Sequence, residues 1–327
     1  MHRTPLRLLA LGTLLAVAFT AVAQSSDADF APLMKDRKFA ELEKLALERI
    51  AASAKDDVAV WALANVSAND AAKREKAIAA AEACATAVPT SAKCHHALGR
   101  LYGSAAMSSG MMGGLKYASK IKDEFLRAVE LDPKNFESRR DLNQFYLQAP
   151  GLAGGSVRRA IENGEAHGKL NAAQGQVLRA EVHIYEKEFD KAETLLSGIK
   201  APSDEATART VTQAWVNLGF GLIGEKQVAK AQSLFERLVA LDMTNAIFHF
   251  GLGRVLLENN AVDAAIASME RALAIDSKTT AHYRLGIAYQ TKGDKPKAVA
   301  MLQQFLTYSQ TGKAADDARV RLETLKK

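Results

Sequence analysis

From Trp215 to Tyr308 the chain writes one helical hairpin three times, and a chain written this way has to fold as a stack. Asn217-Leu218-Gly219, Gly251-Leu252-Gly253 and Arg284-Leu285-Gly286 each set a Leu-Gly step on a first helix. Ala231, Ala265 and Ala298 follow on a second helix, each 12 residues after its glycine. From Gly219 to Gly253 is 34 residues and from Gly253 to Gly286 is 33, the period of a two-helix repeat. One such pair cannot bury its own apolar face, so copies must pack on one another, which makes the fold class all-α and the architecture an α-solenoid of tandem helix-turn-helix units.

By residue type and spacing these copies resemble the tetratricopeptide repeat (TPR) family. Its pattern places a large residue at repeat position 4, Leu-Gly or Leu-Ala at 7 and 8, a small residue at 20, a large apolar residue at 24, a small one at 27 and often proline at 32. Trp215, Phe235 and the exit Leu241-Asp242-Met243 follow it. The resemblance extends over roughly residues 56 to 310 and implies a right-handed solenoid. The segment from His95 to Gly155, with Tyr102-Gly103, Leu131-Asp132-Pro133 and Phe145-Tyr146-Leu147-Gln148-Ala149-Pro150-Gly151, also resembles exported bacterial TPR proteins of unassigned function.

Earlier units are less regular. Residues 24–54 form a degenerate opening pair, with Phe39, Leu42, Leu45 and Ile50 at helical spacing, as expected of a cap. The solenoid proper, about six to seven repeats, is expected over 55–310. Its first unit takes Trp61, Ala77, Cys84 and Pro89 at positions 4, 20, 27 and 32, and the next takes His95, Leu98-Gly99 and Tyr102. About ten extra residues then enter between the two helices, over 103–115, and about five enter the following unit over 149–155. Both are rich in glycine and small residues and are expected to be enlarged turns. Residues 311–327 close the array as a capping helix, with Ala318, Leu322 and Leu325 on one face.

The first 23 residues have the order of a secretory signal peptide: Arg3 and Arg7, an apolar run from Leu8 to Val22, then Ala21-Val22-Ala23 before Gln24. About 15 apolar residues fall short of the roughly 20 that span a bilayer. A periplasmic protein with no integral membrane segment after cleavage is therefore expected. Net charge is +6, or +4 without Arg3 and Arg7, and acids and bases alternate (Lys122-Asp123-Glu124, Glu186-Lys187-Glu188), so no basic stripe for nucleic acid emerges.

Few motifs suggest chemistry. Gly219-Phe220-Gly221-Leu222-Ile223-Gly224 matches the dinucleotide glycine pattern, but it lies inside a helix rather than between a strand and a helix. The chain has no phosphate loop, no His-Glu-x-x-His and no Gly-x-Ser-x-Gly, so neither an enzyme nor a cofactor is expected. His95, His249 and His282 occupy repeat position 4 and His183 position 11, where the family places packing residues. Met107, Met111 and Met112 beside His95 and His96 offer an alternative, a small-ligand or soft-metal site in the inserted loops. Flexible apolar filling is the commoner use of methionine, and no resident metal is expected.

What remains is a surface. The resemblance implies that first helices line a groove through repeat positions 2, 5, 9, 12 and 13. In the C-terminal half these hold Val216, Phe220, Ile223, Ile247, Phe250, Arg254, Leu257, Tyr283, Ile287 and Gln290. An apolar, aromatic groove around one arginine suits a peptide or protein partner, most simply a cell-envelope component, with Phe220, Phe250, Arg254 and Tyr283 at its centre. The alternative is that the closing helix or inter-repeat contacts cover these rings. The Lys and Asn of carboxylate-binding TPR domains are missing at positions 5 and 9. A second contact on the rim is expected from Met107, Met111, Met112, Pro150 and Leu152, if the two enlarged turns are neighbours. Cys84 and Cys94, the only cysteines, face each other across a repeat junction and should form a disulfide in an oxidising compartment.

Overall fold

The computed structural model describes residues 28–327 apart from 201, 203, 278, 310, 311 and 327, and apart from the side chains of 111 and 112. The expected leader, 1–23, lies outside the described residues. Within them the chain is all-α, a solenoid of helical hairpins with no strand. It divides into two compact units, Met1–Val182 and His183–Lys327.

In the first unit α1 (Phe30–Lys35) and α2 (Phe39–Ala52) form the opening pair, followed by hairpins α3 (Asp57–Ser67) with α4 (Ala71–Ala87), α5 (Ala92–Ser108) with α6 (Gly110–Leu131), and α7 (Phe136–Gln148) with α8 (Val157–Gly168). Helix α9 (Ala172–Tyr185) ends this unit and carries the chain into the second. There α10 (Phe189–Ser197) precedes the hairpins α11 (Glu205–Gly224) with α12 (Val228–Leu241), α13 (Ala246–Glu258) with α14 (Val262–Ile275), and α15 (His282–Lys292) with α16 (Lys295–Tyr308). Helix α17 (Lys313–Leu325) closes it.

Local chemistry sets where these helices begin and turn. Asp56, Ser91, Asn135, Asp204 and Asn245 each start a first helix by accepting a backbone N–H two or three residues on, a cap that contributes about 1 kcal/mol. Inside the hairpins one left-handed residue reverses the chain: Lys187 (φ 63°), Lys226 (58°), Asn260 (59°) and Gly293 (86°). The two enlarged units keep the same device, at Gly110 (67°) and Gly154 (98°).

The repeat's glycine is explained by a contact. A Cβ added at Gly219 would come within 2.5 Å of Phe235, at Gly253 within 2.5 Å of Met269, and at Gly286 within 2.8 Å of Leu302. In all three the large residue lies 16 positions after the glycine, so the first helix is pressed onto the second where only a hydrogen fits. Gly99 and Phe125 make the same lock at 2.5 Å although 26 positions separate them. The ten added residues leave this packing unchanged.

That is possible because the residues expected as an enlarged turn over 103–115 are helical. Helices α5 and α6 run on past the ordinary turn, with only Ser109 between them. Arg74 of α4 holds the extension by donating to Ser108 Oγ (2.7 Å) and Ser104 Oγ (3.4 Å). Residues 149–155 do form a turn, built on a short 3-10 segment at Gly151–Ala153.

Candidate protein-docking surface

In the second unit the first helices are α11, α13 and α15. Phe220 of α11 is part-buried, with its ring 5.5 Å from that of Phe235 and edge-to-face with Phe250 at 6.1 Å. The Arg254 guanidinium of α13 lies 4.8 Å from the Phe220 ring centre, a cation–π contact on an aromatic platform. Leu257 and Ile247 of α13 and Ile287 of α15 are part-buried beside them along the same helix positions.

Other residues expected in the groove are placed differently. Val216 is 0% exposed, Phe250 3% and Ile223 7%, so these three belong to the core. Position 5 faces the neighbouring first helix, and Val216 and Phe250 fill the seam where α11 and α13 pack. Phe250 is thus not an anchor open to a partner. Tyr283 and Gln290 are engaged by the closing helix: Tyr283 donates to Asp317 Oδ2 (2.7 Å) and Gln290 Oε1 accepts from Arg321 (2.7 Å). Arg321 also donates to Asp317, at 2.5 Å. The surface left to a partner is Phe220, Arg254, Leu257 and Ile287.

Arg254 is electrostatically unusual. Among the described residues it makes no hydrogen bond and no ion pair. Burial, and then the like charge of Arg284, lower its guanidinium to about 10, against a weak opposing pull from Glu258. Arg284 itself lies 5.5 Å from the Tyr283 ring centre.

The first unit carries a polar counterpart that sequence reading passed over. His96 of α5, 2% exposed, stacks on Trp61 at 4.5 Å and shares a hydrogen bond with Asp141 Oδ2 at 2.8 Å. Arg100 lies 3.6 Å from Asp141 and donates to Asn65 (3.0 Å). Arg140 donates to Glu181 Oε1 (2.7 Å), and Gln144 reaches the other oxygen at 3.4 Å. Burial pushes Asp141 up, yet the His96 hydrogen bond and the charges of Arg100, His96 and Arg140 together outweigh it and hold the carboxyl below its usual range. Glu137, at the exposed edge of the cluster, goes the other way, raised by partial desolvation that the attraction of His96 and the two arginines only partly offsets. The signal for this cluster was available: His96 and Arg100, Arg140 and Gln144, and Glu181 occupy positions 5 and 9 of their irregular units.

The residues expected on the rim are placed as follows. Met107 is 79% exposed at the end of α5 and Leu152 85% exposed in the 3-10 turn, with Pro150 exposed beside it; the side chains of Met111 and Met112 lie outside the described residues. A Cβ at Gly154 would lie 3.5 Å from Lys122, so the 3-10 turn meets the flank of α6. From Gly110 to Lys122 is 12 residues, about 18 Å of helix.

His95, His183, His249 and His282 are part-buried, and each is hydrogen-bonded: to Glu124, Glu188, the Met243 carbonyl and Tyr308. Among the described residues no three His, Cys, Asp or Glu side chains gather as a metal site. Cys84 and Cys94 are fully buried, with Cα atoms 5.7 Å apart. No helix of the described residues is long and apolar enough to cross a membrane.

An array of helical hairpins that leaves one first-helix face open is an architecture of the protein-binding class. Residues 222–284 and 280–311 match the tetratricopeptide repeat family, so the second unit carries TPR repeats over 222–311. Yeast Tom70 is similar in structure, with a TM-score of 0.62 at 15% identity over 93% of this chain and 61% of that one; the chain thus spans about three fifths of the Tom70 chain. A TPR protein of Parabacteroides merdae has a TM-score of 0.46 at 11% identity, over 79% of this chain and 94% of that one. A thermophilic TPR protein of Thermus thermophilus has 0.35 at 18%, over 69% and 98%. At these identities the likeness is one of fold alone. No curated protein matches the chain by sequence.

Proposed function

We propose that this chain is a non-catalytic scaffold or assembly factor, exported to the periplasm through its leader, that holds a peptide or protein of the cell envelope on the first-helix face of its second unit. The observation that carries the reading is the line of part-buried groups, Phe220, Arg254, Leu257 and Ile287, left open on consecutive repeats while their neighbours are sealed. Binding energy at interfaces concentrates on such aromatic and arginine anchors with apolar groups around them.

The test is affinity capture from an envelope extract with the whole chain and with Leu257→Asp and Ile287→Asp. Both substitutions sit on part-buried positions, and equal helicity by circular dichroism establishes that each variant is folded. Loss of the captured partner in both variants, with retention by Lys230→Asp on the exposed face of α12, supports the reading. Undiminished recovery in both would overturn it.

A further inference from the structure

Arg254 keeps a positive charge that, among the described residues, no hydrogen bond or ion pair answers and that Glu258 pulls on only weakly. Charged groups that are taken out of water are ordinarily paired, because burying a lone charge is costly. Here the opposite has been arranged: a ring beneath, a second cation nearby, and no acid in contact. The one acid that acts on it, Glu258, lies one helical turn on and makes no contact, and Asp317, beside Arg284, is committed to Tyr283 and Arg321. The arginine is also held in a useful pose. Its planar group lies over Phe220, and Phe220 is fixed in turn by Phe235 and Phe250. Stacking occupies a face of a guanidinium and leaves the N–H edges, the fork that grips a carboxylate through two parallel hydrogen bonds.

We propose that Arg254, assisted by the field of Arg284, receives an acidic side chain of the bound peptide, with apolar peptide residues to either side of it packing on Leu257 and Ile287. This rests on the scaffold reading and names the chemistry of its partner. The occupant is an internal Asp or Glu rather than a chain terminus, because open apolar positions continue past the arginine, to Phe220 on α11 and to Ile287 on α15. The peptide therefore has to run on in both directions. The site differs from a lysine-and-asparagine clamp in that one stacked arginine supplies the recognition.

The experiment selects binders to the whole chain from a phage-displayed library of random peptides and measures the recovered peptides by fluorescence anisotropy. The expected result is a recurrent Asp or Glu flanked by apolar residues, whose change to Asn or Gln weakens binding roughly tenfold or more, the usual worth of a charged hydrogen-bonded pair. Arg254→Gln should weaken the acidic peptide by a similar factor and leave the amide peptide unchanged. Arg254→Lys, which keeps charge without the fork, should fall between. Melting of Arg254→Gln is expected to be equal to or above that of the parent, since an unpaired buried charge has been removed, so lost binding cannot be ascribed to unfolding. If peptides bind but prefer no acid, or if Arg254→Gln is indifferent to the acid, the scaffold reading stands and this inference falls. If the library yields no peptide that binds, both fall.

Discussion

Replacing Gly251 with Ala tests the packing argument at its tightest point. The new methyl would lie 2.0 Å from Phe235 Cε1, 2.4 Å from Cζ and 2.5 Å from Cδ1. Carbon atoms rest at about 3.5–4.0 Å, so the overlap is about 1.5 Å or more. The ring has nowhere to retreat. Phe235 is 0% exposed, and its opposite edge already lies where a Cβ on Gly219 would be only 2.5 Å away. Relief requires α12 and α13 to separate. Overpacking of this kind costs about 3 kcal/mol at the upper end of its usual range. Alanine recovers about 1 kcal/mol of helix propensity at the same position, leaving a net loss of about 2 kcal/mol. For a unit of this size that lowers Tm by about 4–8 °C. The control is Gly224→Ala at the end of α11, where an added methyl meets nothing within 4 Å and the melting point should hold or rise. Calorimetric melting of both variants, and of Gly251→Ala combined with Phe235→Leu, is the assay. The double variant should regain part of the loss. Equal melting of Gly251→Ala and Gly224→Ala would show that Phe235 is not clamped between two glycines and would remove the physical account of the repeat's glycine.

Two further outcomes follow from the first unit. Glu137 is more than a third exposed, so water screens its raised pKa and Glu137→Gln should melt close to the parent at every pH. Asp141 is depressed, so its contribution is present above about pH 4 and disappears as pH falls through the folded value. Asp141→Asn should be destabilised at pH 7 and lose that difference in acid, and a difference that persists in acid would refute the depressed carboxyl. For Cys84 and Cys94 the expected state in an oxidising compartment is a disulfide. Thiol labelling of the unfolded, unreduced chain should find no reactive cysteine, and reduction should cost about 3 kcal/mol by loop-closure entropy for a separation of 10 residues.

The period of this fold was readable because it is a contact. A glycine on one helix and a bulky residue 16 positions later meet at a place that helix geometry fixes, so Gly219 with Phe235 and Gly286 with Leu302 repeat in sequence as they repeat in space. The insertion over 103–115 was misread because glycine, serine and alanine were taken as the mark of a loop. Alanine and methionine form helix well, and reversing the chain needs only one left-handed residue, which Gly110 supplies. The row formed by His96, Arg100, Arg140 and Glu181 was passed over because positions 5 and 9 were read only in the C-terminal half, where the repeats are regular.

Exposure was the least readable property, because it depends on what stacks next and a repeat position does not encode its neighbour. Positions 5 of α11 and α13 hold Val216 and Phe250, and each is closed by the adjoining first helix. Position 5 of α15 holds Tyr283, and it too is closed, here by Asp317 and Arg321 of α17, which stand where the first helix of a further repeat would stand. A solenoid has to end this way, since the last hairpin would otherwise leave its apolar face in water. The closing helix covers Tyr283 and Gln290, and so the open part of the first-helix face falls on Phe220, Arg254, Leu257 and Ile287. Of these, only Arg254 carries a charge that the fold itself leaves unanswered.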